Sequence, residues 1–154
     1  MKHLIQPNRW SCLPCSTAMA CGVSVEKIYE IIGHCGSEII HPILDEPFCR
    51  RAFHIQECIW AALKLGFAVT PFEVSPRLAA TPGYIIDVPI KFDMEEILKG
   101  WGIMTGEGKR GRHAIAYSNG VGYDPNGQII DFGISDFKAD TIWKFDLIFS
   151  NSRA

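Results

Sequence analysis

The chain reads as an α+β fold in which an N-terminal helical layer packs against a C-terminal antiparallel sheet. Two observations predict this. Residues 11–66 carry helical periodicity punctuated by glycine, and residues 67–149 break into short strand-like runs. No repeat, low-complexity tract or Pro/Ser-rich linker interrupts the 154 residues, so one domain over 1–154 is expected.

Ser11 is placed to cap a helix from Cys12 to Cys21, with Pro14 in its first turn and Gly22 as its stop. Ser24 starts a second helix, Val25–Ile32, whose Val25, Ile28, Ile31 and Ile32 keep helical spacing up to Gly33. An irregular stretch from Cys35 to Phe53 carries Pro42 and Pro47. A third helix follows over Ile55–Leu65, with Gly66 as stop. Strands are predicted over Ala68–Val74, Tyr84–Ile90, His113–Ser118, Val121–Asp124, Gln128–Phe132 and Ile142–Phe149. One short helix interrupts them, capped by Asp93 and stopped by Gly100.

Composition narrows the function classes. Hydrophobic residues at 47% and charged residues at 21% supply a core without a metal or disulfide staple. A net charge of -2 with mixed signs argues against a nucleic-acid partner. The short basic cluster Lys109-Arg110-Gly111-Arg112 reads as a solvated loop. No stretch approaches the roughly 20 apolar residues of a membrane span. The N-terminus has no signal-like apolar region, so a cytoplasmic location with reduced cysteines is expected. All six cysteines fall in the first 58 residues, and most are expected to be buried.

Thiol hydrolysis requires a nucleophilic sulfur, a base that also acts as acid, a group orienting that base, and donors for an oxyanion. Cys12 opens the first helix, where unpaired N–H groups and the helix dipole favour negative charge. Gln6 lies six positions upstream, where its amide and the Cys12 N–H can converge as oxyanion donors. His113 begins an apolar strand. Asn119-Gly120 suits a tight hairpin turn. Pairing about that turn sets Ile115 opposite Asp124, so His113 and Asp124 become diagonal neighbours on one face, within reach of a hydrogen bond. Asn119 is the alternative orienter, and Asp124 in Asp-Pro-Asn-Gly also reads as a turn residue.

The order Gln6…Cys12…His113…Asp124-Pro125 resembles the papain-like cysteine peptidases. Within them, Gln6-Pro-Asn-Arg-Trp-Ser-Cys12-Leu-Pro-Cys-Ser-Thr-Ala-Met19 is similar to the opening of the C39 and C39-like peptidases, and Tyr123-Asp124-Pro125 to their Asp-Pro element. The Gly66-Phe67 pair and the helix spacing extend the likeness over nearly the whole chain. The resemblance implies Cys12 as nucleophile, His113 as acid–base, Asp124 as orienter and Gln6 as oxyanion donor. It also implies a peptide or protein substrate, with isopeptide, amide and other acyl bonds left open; no cofactor is expected. Two positions depart from the family pattern: Leu13 stands where Gly is usual, and Ser11 where Asp is frequent. No nucleotide motif or membrane segment points to the exporter-fused form.

Other readings compete at single residues. Cys12-x-x-Cys15 has redox-pair spacing but lacks the surrounding βαβ pattern. His34, Cys35, His41, Cys49, His54 and Cys58 supply zinc-type ligands without paired spacing, so no metal is expected. Trp10 reads as either a core residue or a cleft wall. The run Gly106–Gly111 reads as a mobile cleft rim rather than a phosphate loop. A catalytically silent papain-like module that binds a partner protein is the rival to a peptidase.

Overall fold

The computed structural model describes residues 1–74, 93–132 and 137–148. Helices precede strands. The N-terminal layer holds α1 (Cys12–Cys21), α2 (Val25–Ile32) and α3 (Ile55–Lys64). Then come β1 (Phe67–Glu73), α4 (Met94–Leu98), β2 (Trp101–Gly108), β3 (Gly111–Ser118), β4 (Val121–Tyr123), β5 (Ile129–Asp131) and β6 (Lys138–Leu147). The expected strand at Tyr84–Ile90 lies outside the described residues.

Local chemistry sets the helix starts. The Ser24 hydroxyl accepts the Lys27 N–H at 3.2 Å, and the Asp93 carboxylate accepts the Glu96 N–H at 3.1 Å. At α3 the capping residue is His54, whose Nδ1 accepts from Gln56 N–H while Glu57 accepts the His54 N–H at 2.8 Å. Ser11 departs from the expectation. It occupies the cap position of α1, yet its side chain makes no capping bond.

Among the described residues, six strands form one antiparallel sheet in the order β1-β6-β2-β3-β4-β5. The pleat sends alternate residues to opposite faces. Ala116, Ile103 and Phe145 meet the helices through Ala18, Ala20, Ala61 and Ala62. Met104, Ile115, Tyr117 and Ile142 pack on the other face, with Ile97 of α4. Fully burying side chains of this size contributes about 1.5–3 kcal/mol each. Pro71 falls in β1, which among the described residues is an edge strand, the place in a sheet where a missing N–H is tolerated.

β2 was not expected from the sequence, although it pairs centrally between β6 and β3. Three glycines in Trp-Gly-Ile-Met-Thr-Gly-Glu-Gly mask its strand character. Two of them are required by packing. A Cβ on Gly102 would stand 2.0 Å from the Trp143 carbonyl oxygen, and one on Gly106 would stand 2.0 Å from that of Lys138. The register with β6 shifts between Thr105 and Gly106, a bulge at the close approach. The expected rim at Gly106–Gly111 is therefore the end of an ordered β2–β3 hairpin, closed by the two residues Lys109 and Arg110 between the paired Gly108 and Gly111.

Candidate active site

Cys12 is the first residue of α1. The first intrahelical bond runs from Cys15 N–H to Ser11 O at 3.0 Å, and Pro14 has no N–H. The backbone N–H groups of Cys12 and Leu13 are thus left for partners outside the helix. Behind Cys12 the helix is immobilised by burial, since Cys15 and Ala18 are wholly inaccessible. The Ser11 hydroxyl is drawn away to Asn8 Oδ1 at 2.5 Å and to the Tyr29 hydroxyl at 2.6 Å. Asn8 Oδ1 also accepts the Trp10 N–H at 3.1 Å. That network shapes the loop entering α1. Asn8 and Tyr29 were missed from sequence because neither sits in a motif.

The β3–β4 hairpin brings the other groups in. Asn119 and Gly120 both have positive φ, 50° and 79°, as a type I′ turn requires. The ladder pairs Ser118 with Val121, Tyr117 with Gly122 and Ala116 with Tyr123. Its next step sets Ile115 across from Asp124, which is the predicted register. His113 Nε2 lies 2.9 Å from Asp124 Oδ1. Asn119 sits at the far end of the hairpin, six residues and roughly 20 Å along the strand from His113. It is not the group that meets the ring.

Asp124 serves both readings the sequence offered. The same Oδ1 accepts the Asn126 N–H at 2.8 Å, forming an Asx turn, while Gly127 N–H bonds to the Asp124 carbonyl at 2.9 Å. His3, not singled out from sequence, donates from Nε2 to that carbonyl at 2.6 Å and stacks edge-on against Tyr123. Gln6 donates its backbone N–H to Pro125 O at 2.9 Å. The N-terminal segment is therefore tied to the Asp-Pro loop at two carbonyls. The Gln6 side-chain Oε1 is buried without a hydrogen-bond partner among the described residues.

Electrostatics follow from burial and pairing. Burial pushes the His113 imidazole down, but hydrogen bonds with Asp124 and Cys12 and their charges outweigh it, and its pKa rises to about 9. Burial pushes Asp124 up, yet His113, the Asn126 N–H and the charge of His3 bring it below the usual carboxylate value. The pair is an imidazolium and a carboxylate near neutrality. Burial raises Cys15, Cys21 and Cys58 to about 12, which disqualifies all three as thiolates at neutral pH. Cys35 is exposed, and its hydrogen bond with Ser37 lowers its pKa.

Gln6, Cys12, His113 and Asp124 all line one cleft of about 950 Å³. Pro47 and Phe48 reach it from the irregular 35–53 segment, a contribution no sequence pattern announced. Trp10 is neither core nor cleft lining. Its Nε1 donates to Cys35 O at 3.0 Å and Arg50 stacks over its ring, so it pins that segment. His34 bonds Glu57 and His54 caps α3, and among the described residues no three His, Cys, Asp or Glu side chains gather as a metal site. Among those residues no helix is long and apolar enough to cross a membrane.

No protein-family model matches the sequence, and no curated protein matches it. Among solved structures, the peptidase domain of Streptococcus ComA, a bifunctional ABC transporter involved in a quorum-sensing pathway, superposes with a TM-score of 0.57 at 16% identity. The match covers 94% of this chain and 96% of that one. Helices first, a sheet of six antiparallel strands among the described residues after, and this superposition establish one conclusion: the chain has a papain-like α+β fold.

Proposed function

We propose that the chain is a cysteine peptidase of the C39-like kind. The observation that carries the reading is the convergence of a helix-start cysteine with a histidine bonded at 2.9 Å to a buried carboxylate in one cleft. In the proposed reaction the Cys12 sulfur, as thiolate, attacks the substrate carbonyl carbon and a C–S bond forms. The Cys12 N–H and the Gln6 amide hold the oxyanion. His113 gives its proton to the leaving nitrogen as the C–N bond breaks. Water then attacks the thioester, His113 takes its proton, and the thiolate leaves. Asp124 holds the ring and stabilises its charged form.

Gln6 serves this scheme through its amide nitrogen, while its Oε1 is buried. A peptidyl epoxide or vinyl sulfone probe tests the reading. It should label wild type at Cys12, with labelling lost in Cys12→Ala and His113→Ala. Labelling of neither wild type nor variants, with the fold intact, returns the chain to a silent binding module.

A further inference from the structure

We propose that Tyr29 is a positioning residue, acting through Ser11 to set the angle at which the Gln6 loop enters α1 and so the spacing of the two oxyanion donors. The inference rests on the peptidase reading and adds a residue to it. Ser24 and Ser11 both stand at helix starts, and they differ. Ser24 keeps the extended backbone usual for a cap, φ -79° and ψ 160°, and its hydroxyl accepts the Lys27 N–H. Ser11 has φ -109° and ψ 19°, and its hydroxyl makes no capping bond. Its partners account for the difference. Ser11 is wholly buried, and its hydroxyl meets Asn8 Oδ1 at 2.5 Å and the Tyr29 hydroxyl at 2.6 Å. Chemistry fixes the direction of these bonds. The Trp10 N–H can only donate, so the Asn8 atom it meets at 3.1 Å is the carbonyl oxygen. That oxygen carries no proton, so Ser11 donates to it and Tyr29 donates to Ser11.

The Ser11 carbonyl is engaged inside the helix, accepting the Cys15 N–H at 3.0 Å, which fixes the Ser11–Cys12 peptide plane and with it the Cys12 N–H. The ψ of Ser11 then sets where the chain before it lies relative to that N–H. Gln6 is tied at one end of this loop, through its backbone N–H to Pro125 O at 2.9 Å. The Tyr29–Ser11–Asn8 relay is the second tie, and it refers the loop to the helices. Without the Tyr29 hydroxyl, Ser11 is free to turn to the Leu13 N–H as an ordinary cap, Pro14 having none to offer, and its ψ follows toward the Ser24 value. The donor is itself held in place. The Tyr29 ring lies flat on Phe53, centroids 5.5 Å apart at 4°, and Phe53 stacks on His34 at 5.0 Å. Burial raises the Tyr29 pKa against the bonds to Ser11 and Asn8, so the hydroxyl keeps its proton.

The test uses the full chain and two probes. A peptidyl aldehyde adds to the Cys12 sulfur and places its oxygen in the oxyanion site, whereas iodoacetamide alkylates the sulfur without forming an oxyanion. Tyr29→Phe keeps the stacked ring and removes only the hydroxyl. It should weaken the aldehyde about tenfold, with Cys12 alkylation, read by site-resolved mass spectrometry, within about twofold of wild type. Asn8→Ala should behave alike, and Asn8→Asp, which keeps an acceptor oxygen, should restore most of the affinity. In a Gln6→Ala chain the Tyr29→Phe change should cost no more than about twofold, because the donor it positions is gone. Unchanged aldehyde affinity in Tyr29→Phe overturns the proposal, and so does the full tenfold loss in the Gln6→Ala chain. A fall in alkylation equal to the fall in aldehyde affinity also overturns it, as the mark of a general loosening. The two readings separate at the wild type: if it takes no aldehyde, the peptidase reading falls and this proposal with it, whereas the outcomes above, in a wild type that takes it, remove Tyr29 alone.

Discussion

Replacing Asp124 tests the site most severely, because one carboxylate oxygen carries both the ring and the turn. In Asp124→Ala, His113 loses its 2.9 Å partner and the Asn126 N–H loses its 2.8 Å acceptor. Charge-assisted bonds contribute about 1.5–3 kcal/mol, and the relieved burial of the carboxylate offsets part of that. A net loss of about 2 kcal/mol is expected, which in a domain of this length lowers Tm by roughly 4–8 °C. Asp124→Asn keeps an acceptor for both groups and should lose about half as much. Turnover should fall roughly 10–100-fold in Asp124→Ala, less in Asp124→Asn, and far more in His113→Ala. The double variant should be no worse than His113→Ala, since both residues serve one proton transfer.

The pH profile separates this role from a structural one. His113 is raised from 6.5 to about 9, so its pairing contributes fully below pH 6.5 and fades as pH rises through about 9. Asp124 is lowered, so its contribution is present above its ordinary 3.8 and is lost as pH falls through its lower folded value. The stability gap between wild type and Asp124→Ala should therefore be widest from about pH 4 to 6.5 and close toward 9. The alkaline limb of kcat/KM should move to lower pH in the variant. Urea melts and rate profiles across this range measure both. An unchanged limb with a pH-independent stability gap would reduce Asp124 to a turn residue and refute its role in orienting the base.

Cys12 should react fastest of the cysteines with the peptidyl probe, whereas plain iodoacetamide should also label exposed Cys35; site-resolved mass spectrometry distinguishes them, and faster probe labelling of Cys35 would displace Cys12 as nucleophile. Gln6→Ala should lower kcat by around 10²-fold with thiol labelling retained, and wild-type turnover would remove Gln6 from the oxyanion site. Gly102→Ala should destabilise by more than about 3 kcal/mol, because its methyl meets backbone at 2.0 Å and cannot be accommodated by a rotamer; a melt within 1 °C of wild type contradicts the packing. His3→Ala should lower kcat several-fold by loosening the Asp124 loop, and His3→Gln, which keeps an N–H donor, should restore most of it. Failure of that rescue would mean the 2.6 Å bond has no positioning role.

Much of this was legible because the decisive features are local. A cap residue, a helical period and a closing glycine set α2 and α4, and Asn119-Gly120 with its flanking apolar residues set the register that brings Asp124 to His113. What stayed hidden is non-local. β2 is written in glycines whose reason lies on β6, at Trp143 for Gly102 and at Lys138 for Gly106. Ser11 looks like a cap until Asn8 and Tyr29 compete for its hydroxyl. The bonds of His3 and Gln6 to the Asp124-Pro125 carbonyls join positions more than a hundred residues apart and leave no spacing pattern. Pro47 and Phe48 reach the cleft from a segment without regular structure, where sequence periodicity says nothing.

The assembly also explains how distant segments are held together at the cleft. β3 is paired with β2 along its whole length, His113 standing opposite Gly106, and with β4 from Ala116 to Ser118, so the strand that carries His113 is anchored in the sheet. α1 is fixed by burial of Cys15 and Ala18 against Ala116 of that same strand. The six-residue run from Gln6 to Cys12 is bonded at its far end to Pro125, in the loop that follows β4. Cys12, His113 and Asp124 are referred to one two-stranded element. A one-residue slip in its register would turn Asp124 to the opposite face of the sheet. The positive-φ turn at Asn119-Gly120 resists such a slip, so it is as necessary to the site as the carboxylate it lies so far from.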